Sequence, residues 1–123
     1  MEAPLFERLG KEPGITQFVS DLVDAHLANP VLVHHFKNSD TNRLKRIATE
    51  FVITAVGGPR CYNGKGMKAV HKGMKISAEE FIQVLDDALI ALDKNKVAQR
   101  EREQVLWLLY SLKADILSAQ STN

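Results

Sequence analysis

Apolar residues recur every three or four positions over long stretches of this chain, and this spacing constrains the fold more than any other feature. It places apolar side chains on one face of an α-helix, whereas a half-exposed strand alternates apolar and polar residues. Strand-like alternation is almost absent here. The clearest helical stripe consists of Ile15, Phe18, Val19, Leu22, Val23, His26 and Leu27. The sequence therefore predicts an all-α fold.

Glycine and proline separate the predicted helices in the first half of the chain. A short helix is expected over residues 4–9, and Pro13 and Gly14 divide it from the helix that carries the first stripe. Ser39 or Asp40 can cap a third helix, because short polar side chains accept hydrogen bonds from unpaired N–H groups at helix starts. Residues 57–59, Gly-Gly-Pro, end that helix, and residues 59–66 are expected to form a loop.

The second half begins with a short helical turn over residues 67–72. Ser77 and Glu80 have the spacing of a capping box, which predicts the start of a strongly amphipathic helix. The last helix is predicted to run without a break over residues 97–117. With 123 residues and no linker-like segment, the chain is expected to form a single domain over residues 1–123.

Charge and cysteine content exclude several functions. Sixteen basic residues balance fifteen acidic ones, so we expect no nucleic-acid partner. Cys61 is the only cysteine, which excludes a disulfide framework, a multi-cysteine zinc site and a thiolate-bound iron–sulfur cluster. The absence of C-x-x-C-H excludes a c-type haem attachment. No apolar segment approaches the length of a membrane span, and the N-terminus lacks a signal-peptide core, so we expect a cytoplasmic protein without a membrane partner.

The four histidines are the clearest candidates for metal or acid–base chemistry. His71 shares one face of the short helical turn with Met67 and Met74. By spacing alone, His71 and His26 are typical of satisfied core residues. His34 and His35 lie at a helix-to-loop junction, where at least one of them is expected to be exposed. Asp86 and Asp87 are neighbours on a helix and point about 100° apart, so they form no carboxylate pair on one face.

Several segments in register resemble the truncated haemoglobins, most closely the first group of that family. The matching segments are LFERLG at residues 5–10, HHFKNSD at 34–40, TAVGG at 54–58, Tyr62 with Gly64, and MKAVH at 67–71. The resemblance covers nearly the whole chain. It implies a truncated globin, a two-over-two helical sandwich around haem b.

The resemblance also implies roles for individual residues. His71 falls on the proximal histidine, the iron ligand, and Phe36 on the corner phenylalanine that packs against the porphyrin. Tyr62 falls beside the haem edge, with Lys45, Lys65 or Lys68 expected near the propionates. The other positions implied to contact the cofactor are Met67, Leu44 and Ala48.

The family's distal hydrogen-bond donors are replaced by apolar residues. Val23 stands at the usual tyrosine position and Leu44 and Ala48 at glutamine positions, while Ile47 stands where some members carry a histidine. With Leu22 and Phe51, these residues are expected to form an apolar ligand pocket that donates no hydrogen bond from these positions. A sixth iron ligand from His26, His34, His35 or Lys45 is the alternative to five-coordinate iron.

Two classes of function remain open at this point. The first is a haem protein that binds oxygen, carbon monoxide or nitric oxide, in transport or in haem-dependent nitric oxide or redox chemistry with an electron-donating reductase. The second is a globin-like interaction module that has lost its haem function. A monomer or weak dimer is expected in either case.

Overall fold

The computed structural model describes residues 2–118. Within that range every regular element is helical. The elements are α1 (Leu5–Arg8), α2 (Lys11–Ala28), a 3₁₀ turn called the corner turn (Val33–Phe36), α3 (Thr41–Ala55), α4 (Met67–Val70), α5 (Ala78–Lys94), α6 (Gln99–Ser111) and α7 (Lys113–Ser118). The all-α prediction is confirmed.

Two pairs of helices form the body of the fold. Helix α2 packs against both α3 and α5, and α5 also packs against α6, so the α2/α3 pair lies on the α5/α6 pair. The buried cluster between them comprises Ile15, Phe18, Val19, Val23, Ile53, Val56, Ala91, Leu92 and Val105. This is the two-over-two arrangement, and it follows from burying the apolar stripe of each helix against its neighbours.

Helix α2 begins at Lys11, so the division predicted at Pro13 and Gly14 is wrong. Proline is tolerated in the first turn of a helix, where N–H groups have no partner within the helix. Gly14 donates its N–H to the Gly10 carbonyl at 3.1 Å. A Cβ at Gly14 would lie 2.0 Å from the Leu9 carbonyl oxygen, so this close backbone approach requires glycine.

Side-chain caps define the starts of α3 and α5. Asp40, one of the two predicted candidates, accepts a hydrogen bond from the Arg43 N–H at 3.2 Å. The predicted capping box is present: Ser77 Oγ accepts from the Glu80 N–H at 3.0 Å, and Glu80 Oε1 accepts from the Ser77 N–H at 2.9 Å.

The last predicted helix is two helices, α6 and α7, which meet at Leu112. Ser111 Oγ donates to the Leu108 carbonyl at 2.5 Å, and the Leu112 N–H donates to the carbonyl of Leu109, three residues back. Both bonds tighten the end of α6 and interrupt the regular i to i−4 pattern. Helix α7 then packs against α4, and its Ile116 is buried.

Helix α1 is held against the end of α3. The Phe6 N–H donates to the Val56 carbonyl at 3.0 Å. A Cβ at Gly58 would lie 2.5 Å from the Phe6 ring, so the absence of a side chain there lets the ring pack against the backbone. No helix within residues 2–118 combines the length and apolar content needed to cross a bilayer.

Candidate cofactor-binding site

A cavity of about 420 Å³ lies among α2, the corner turn, α3, α4, α5 and α7. This volume is in the range typical of small-molecule and cofactor sites. The apolar lining residues are Leu22, Val23, Leu32, Phe36, Leu44, Ala48, Val70, Met74, Ile76, Phe81, Val84 and Ile116. The polar lining residues are His26, His35, Ser39 and His71. The cavity is therefore a mostly apolar space with three imidazoles on its wall.

His71 follows the last residue of α4, and the Met67 carbonyl contacts both its backbone N–H and its ring. Its backbone N–H donates to the Met67 carbonyl at 3.1 Å, and its Nδ1 lies 2.8 Å from the same oxygen. Because a carbonyl oxygen only accepts, Nδ1 carries a proton, and the tautomer that can bind a metal through this ring is the one with its lone pair on Nε2. A histidine ligand is commonly oriented in this way, by a hydrogen bond from its other nitrogen.

Most of the predicted ligand pocket lines this cavity. Leu22 and Val23 come from α2, and Leu44 and Ala48 from α3. Phe36, predicted to pack against the porphyrin, lines the cavity from the corner turn. Val23 is only 4% exposed. The structure thus brings together residues from three separate segments of the chain.

The remaining predicted site residues lie elsewhere among residues 2–118. Ile47 is half-buried on α3 outside the cavity lining, and Phe51 packs edge-on against Tyr62 with ring centroids 5.4 Å apart. Lys45 Nζ contacts Asp24 at 2.8 Å and lines a separate hollow between α2 and α3.

Three more predicted contacts lie around the one-turn helix α4. Tyr62 donates its hydroxyl to the Lys65 carbonyl at 2.5 Å. Met67 supplies the carbonyl that orients His71, and Lys68 is exposed. Within the described residues none of these side chains lines the cavity, so the propionate contacts stay predictions.

A buried polar network beside the cavity was not predicted. His26 Nδ1 lies 2.7 Å from Asp87 Oδ2, and Asn29 Nδ2 donates to both carboxylate oxygens at 3.2 Å. His26 also stacks on Phe36, with ring centroids 5.8 Å apart. Burial lowers the pKa of His26, although the hydrogen bond and the charge of Asp87 act in the opposite direction. The imidazole is therefore neutral at pH 7, donates through Nδ1 and keeps its lone pair on Nε2.

Glu80 is the second carboxylate that contacts a cavity histidine. Its Oε2 lies 2.9 Å from His35 Nε2, and His35 lines the cavity. The hydrogen bond from the Ser77 backbone, together with the neighbouring histidines, lowers the pKa of Glu80, so its side chain is an anion at neutral pH.

This fold and this cavity define a class of protein. A two-over-two helical sandwich encloses an apolar space, and one imidazole on its wall has an oriented Nε2. A mostly apolar cavity suits haem, which is a largely apolar macrocycle. An oriented imidazole is the usual protein ligand to haem iron. The residues present therefore fit haem, and the class is that of the globins.

Comparison with known proteins specifies the family. The family model of the bacterial-like globins matches residues 4–118, and the chain belongs to this family.

Among its relatives is a group 1 truncated haemoglobin of Tetrahymena pyriformis, 26% identical over 92% of this chain and 93% of the relative. Another is the group 1 truncated haemoglobin GlbN of Mycolicibacterium paratuberculosis, 29% identical over 97% of this chain and 88% of the relative.

A solved structure has the same fold. The crystal structure of the truncated haemoglobin from Tetrahymena pyriformis in its Fe(III) form superposes with a TM-score of 0.89, at 26% identity. The superposition covers 94% of this chain and 98% of that one. The predicted truncated globin fold and the predicted family are confirmed.

Proposed function

We propose that this chain binds haem b, that His71 would hold its iron, and that the site takes small diatomic gases. The observation that carries the proposal is the orientation of His71, whose protonated Nδ1 is held by the Met67 carbonyl. Haem, when bound, supplies an iron atom with one coordination position left for a gas. Membership of the bacterial-like globins supports the same assignment.

The chain's own residues would hold the macrocycle chiefly by apolar contact. Phe36 offers a ring on the cavity wall, and Val70, Met74 and Phe81 contribute further apolar surface. Burial of apolar area against these side chains favours binding by about 25 cal/mol per Å². When haem is bound, the same side chains would limit the access of water to the space around His71.

Replacement of His71 tests the proposal. We expect His71→Ala to lose tight haem binding, or to retain haem only when imidazole is added to fill the vacated place. The measurement is the Soret band of the purified protein after reconstitution with haemin. Lys72→Ala, at the exposed neighbouring position, is the matched control and should keep the unaltered spectrum. An unchanged spectrum in His71→Ala would contradict the assignment.

A second part of the proposal concerns the wall formed by Val23, Leu44 and Ala48. None of these side chains donates a hydrogen bond. A donor to a partly charged ligand contributes about 1–3 kcal/mol, and each 1.4 kcal/mol changes a rate or equilibrium constant about tenfold. We therefore expect fast oxygen release and a preference for carbon monoxide, whose bound form is less polar.

Substitution of Val23 by tyrosine tests the wall directly. Val23→Tyr introduces a hydroxyl into the cavity and should slow oxygen dissociation about tenfold to a hundredfold. Val31→Tyr, at a position that is 41% exposed, is the matched control and should leave the rate unchanged. Slow oxygen dissociation from the unmodified protein would contradict the apolar wall, because it requires a donor elsewhere on the cavity lining, such as the Ser39 hydroxyl.

A further inference from the structure

Three metal-ligating side chains converge at the junction between the corner turn and α5. His34 and His35 are neighbours on the corner turn, and Glu80 lies in the first turn of α5. Nε2 of His34 lies 3.4 Å from Glu80 Oε2, and Nε2 of His35 lies 2.9 Å from the same oxygen. All three ligand atoms lie within 4.8 Å of one another. The cluster does not include His71, although its member His35 also lines the cavity.

The geometry points to a second metal site, in which His34, His35 and Glu80 bind a divalent transition-metal ion such as Zn²⁺. Zinc bonds to histidine nitrogen and carboxylate oxygen at about 2.0–2.2 Å, so the ligand atoms of a tetrahedral site lie about 3.4 Å apart. The His34 distance already has this value, and the other ligands reach it with shifts on the order of 1 Å. Two histidines with one carboxylate also form the ligand set of several zinc sites that keep an open position for water.

The carboxylate is oriented before any ion arrives. Glu80 Oε1 accepts the Ser77 N–H at 2.9 Å as part of the capping box, which turns Oε2 towards the two imidazoles. Fixed second-shell hydrogen bonds of this kind increase metal affinity, because less ordering of the ligand is needed on binding.

The two imidazoles differ in accessibility, and this difference suits a surface site. The side chain of His35 is 9% exposed and that of Glu80 is 14% exposed, whereas that of His34 is 59% exposed. His35 and Glu80 are therefore held in place by their surroundings, and His34 would bind the ion from the solvent side. Adjacent helical residues normally point well apart, but here the two rings lie 4.0 Å apart between centroids.

Calorimetric titration of the purified protein with ZnCl₂, without and with added haemin, tests the site. We expect one Zn²⁺ per chain and no competition from excess Mg²⁺, which prefers oxygen ligands. Affinity should fall at least tenfold in His34→Ala and in Glu80→Gln. The Gln side chain keeps the oxygen that caps α5, and the exposure of His34 makes its removal harmless to the fold.

Glu79→Gln is the matched control, because it removes the same charge from the same helical turn at an exposed position. It should bind Zn²⁺ as the parent does. Binding with equal affinity in Glu80→Gln and His34→Ala would place the ion elsewhere and overturn the assignment. Absence of binding at millimolar Zn²⁺ would overturn it too. A Cu²⁺ electron paramagnetic resonance spectrum provides a second measurement, in which two nitrogen ligands are expected and their absence would refute the site.

Discussion

The pair formed by His26 and Asp87 yields a sharp prediction about stability. Asp87 is 4% exposed, and its carboxylate accepts from His26 at 2.7 Å and from Asn29 at 3.2 Å. His26→Leu removes the shorter bond and leaves a buried anion with only the Asn29 amide. A hydrogen bond to a charged group contributes about 1.5–3 kcal/mol, and removing one partner also leaves the buried carboxylate poorly solvated. We expect His26→Leu to lower the free energy of unfolding by about 3 kcal/mol.

The double variant His26→Leu/Asp87→Leu distinguishes this explanation from simple loss of packing. Both polar partners are then replaced by apolar side chains of similar size, and Asn29 still has Gln83 Oε1 as an acceptor at 3.0 Å. Replacing both partners of a buried hydrogen bond by apolar groups of similar shape can be nearly neutral, so the double variant should recover most of the lost stability. The expected coupling energy is about 2 kcal/mol or more.

Urea denaturation, followed by far-ultraviolet circular dichroism, measures these differences. For a slope of about 2 kcal/mol per molar urea, the midpoint of His26→Leu should fall by about 1.5 M. Asp93→Ala is the control, because its ion pair with Arg102 involves a side chain that is 61% exposed and should contribute at most about 1 kcal/mol. Additive losses in the double variant would refute the reasoning.

Three further predictions concern pH, packing and the attachment of haem. Because the pKa of His26 is lowered in the folded state, the unfolded chain takes up a proton first as the pH falls below about 6.5. The free energy of unfolding should therefore decrease from that pH down to the native pKa, and this part of the decrease should be missing in the His26→Leu/Asp87→Leu protein. Gly58→Ala should destabilise the fold by about 1–3 kcal/mol, since its Cβ would lie 2.5 Å from the Phe6 ring, and an unchanged urea midpoint would contradict this packing. No histidine follows His71 in the sequence, so we expect no histidine–vinyl crosslink from the final helices, and acid–acetone extraction should remove the haem. Haem retained on the chain would count against that expectation.

The helices and their caps could be predicted because they depend on neighbours in the sequence. The stripe of α2 and the capping box of Ser77 and Glu80 each involve residues no more than a few turns apart. The break at Leu112 was missed because it depends on how Ser111 uses its hydroxyl, which a buried apolar stripe does not reveal.

The polar contacts of the cavity depend on long-range proximity and were therefore missed. His26 and Asp87 are 61 positions apart, and His35 and Glu80 are 45 apart. One signal was present: Asp87 directly precedes Ala88 and shares its buried stretch of α5, and a buried carboxylate requires a donor. Resemblance to the family indicated His71 and Phe36 because both lie in segments that match its motifs, whereas Glu80 and Asp87 lie outside those segments.

The shortness of α4 has a consequence for the local stability of the segment that carries His71. This helix has four residues. So short a helix is unstable on its own, because ordering the backbone of the first turn costs more conformational free energy than the few hydrogen bonds of that turn offset. The position of His71 therefore depends on α7, which packs against α4, and on whatever fills the cavity. We therefore expect the amides of the segment that carries His71 to be less protected from hydrogen exchange than those of the long helices α2, α3 and α5.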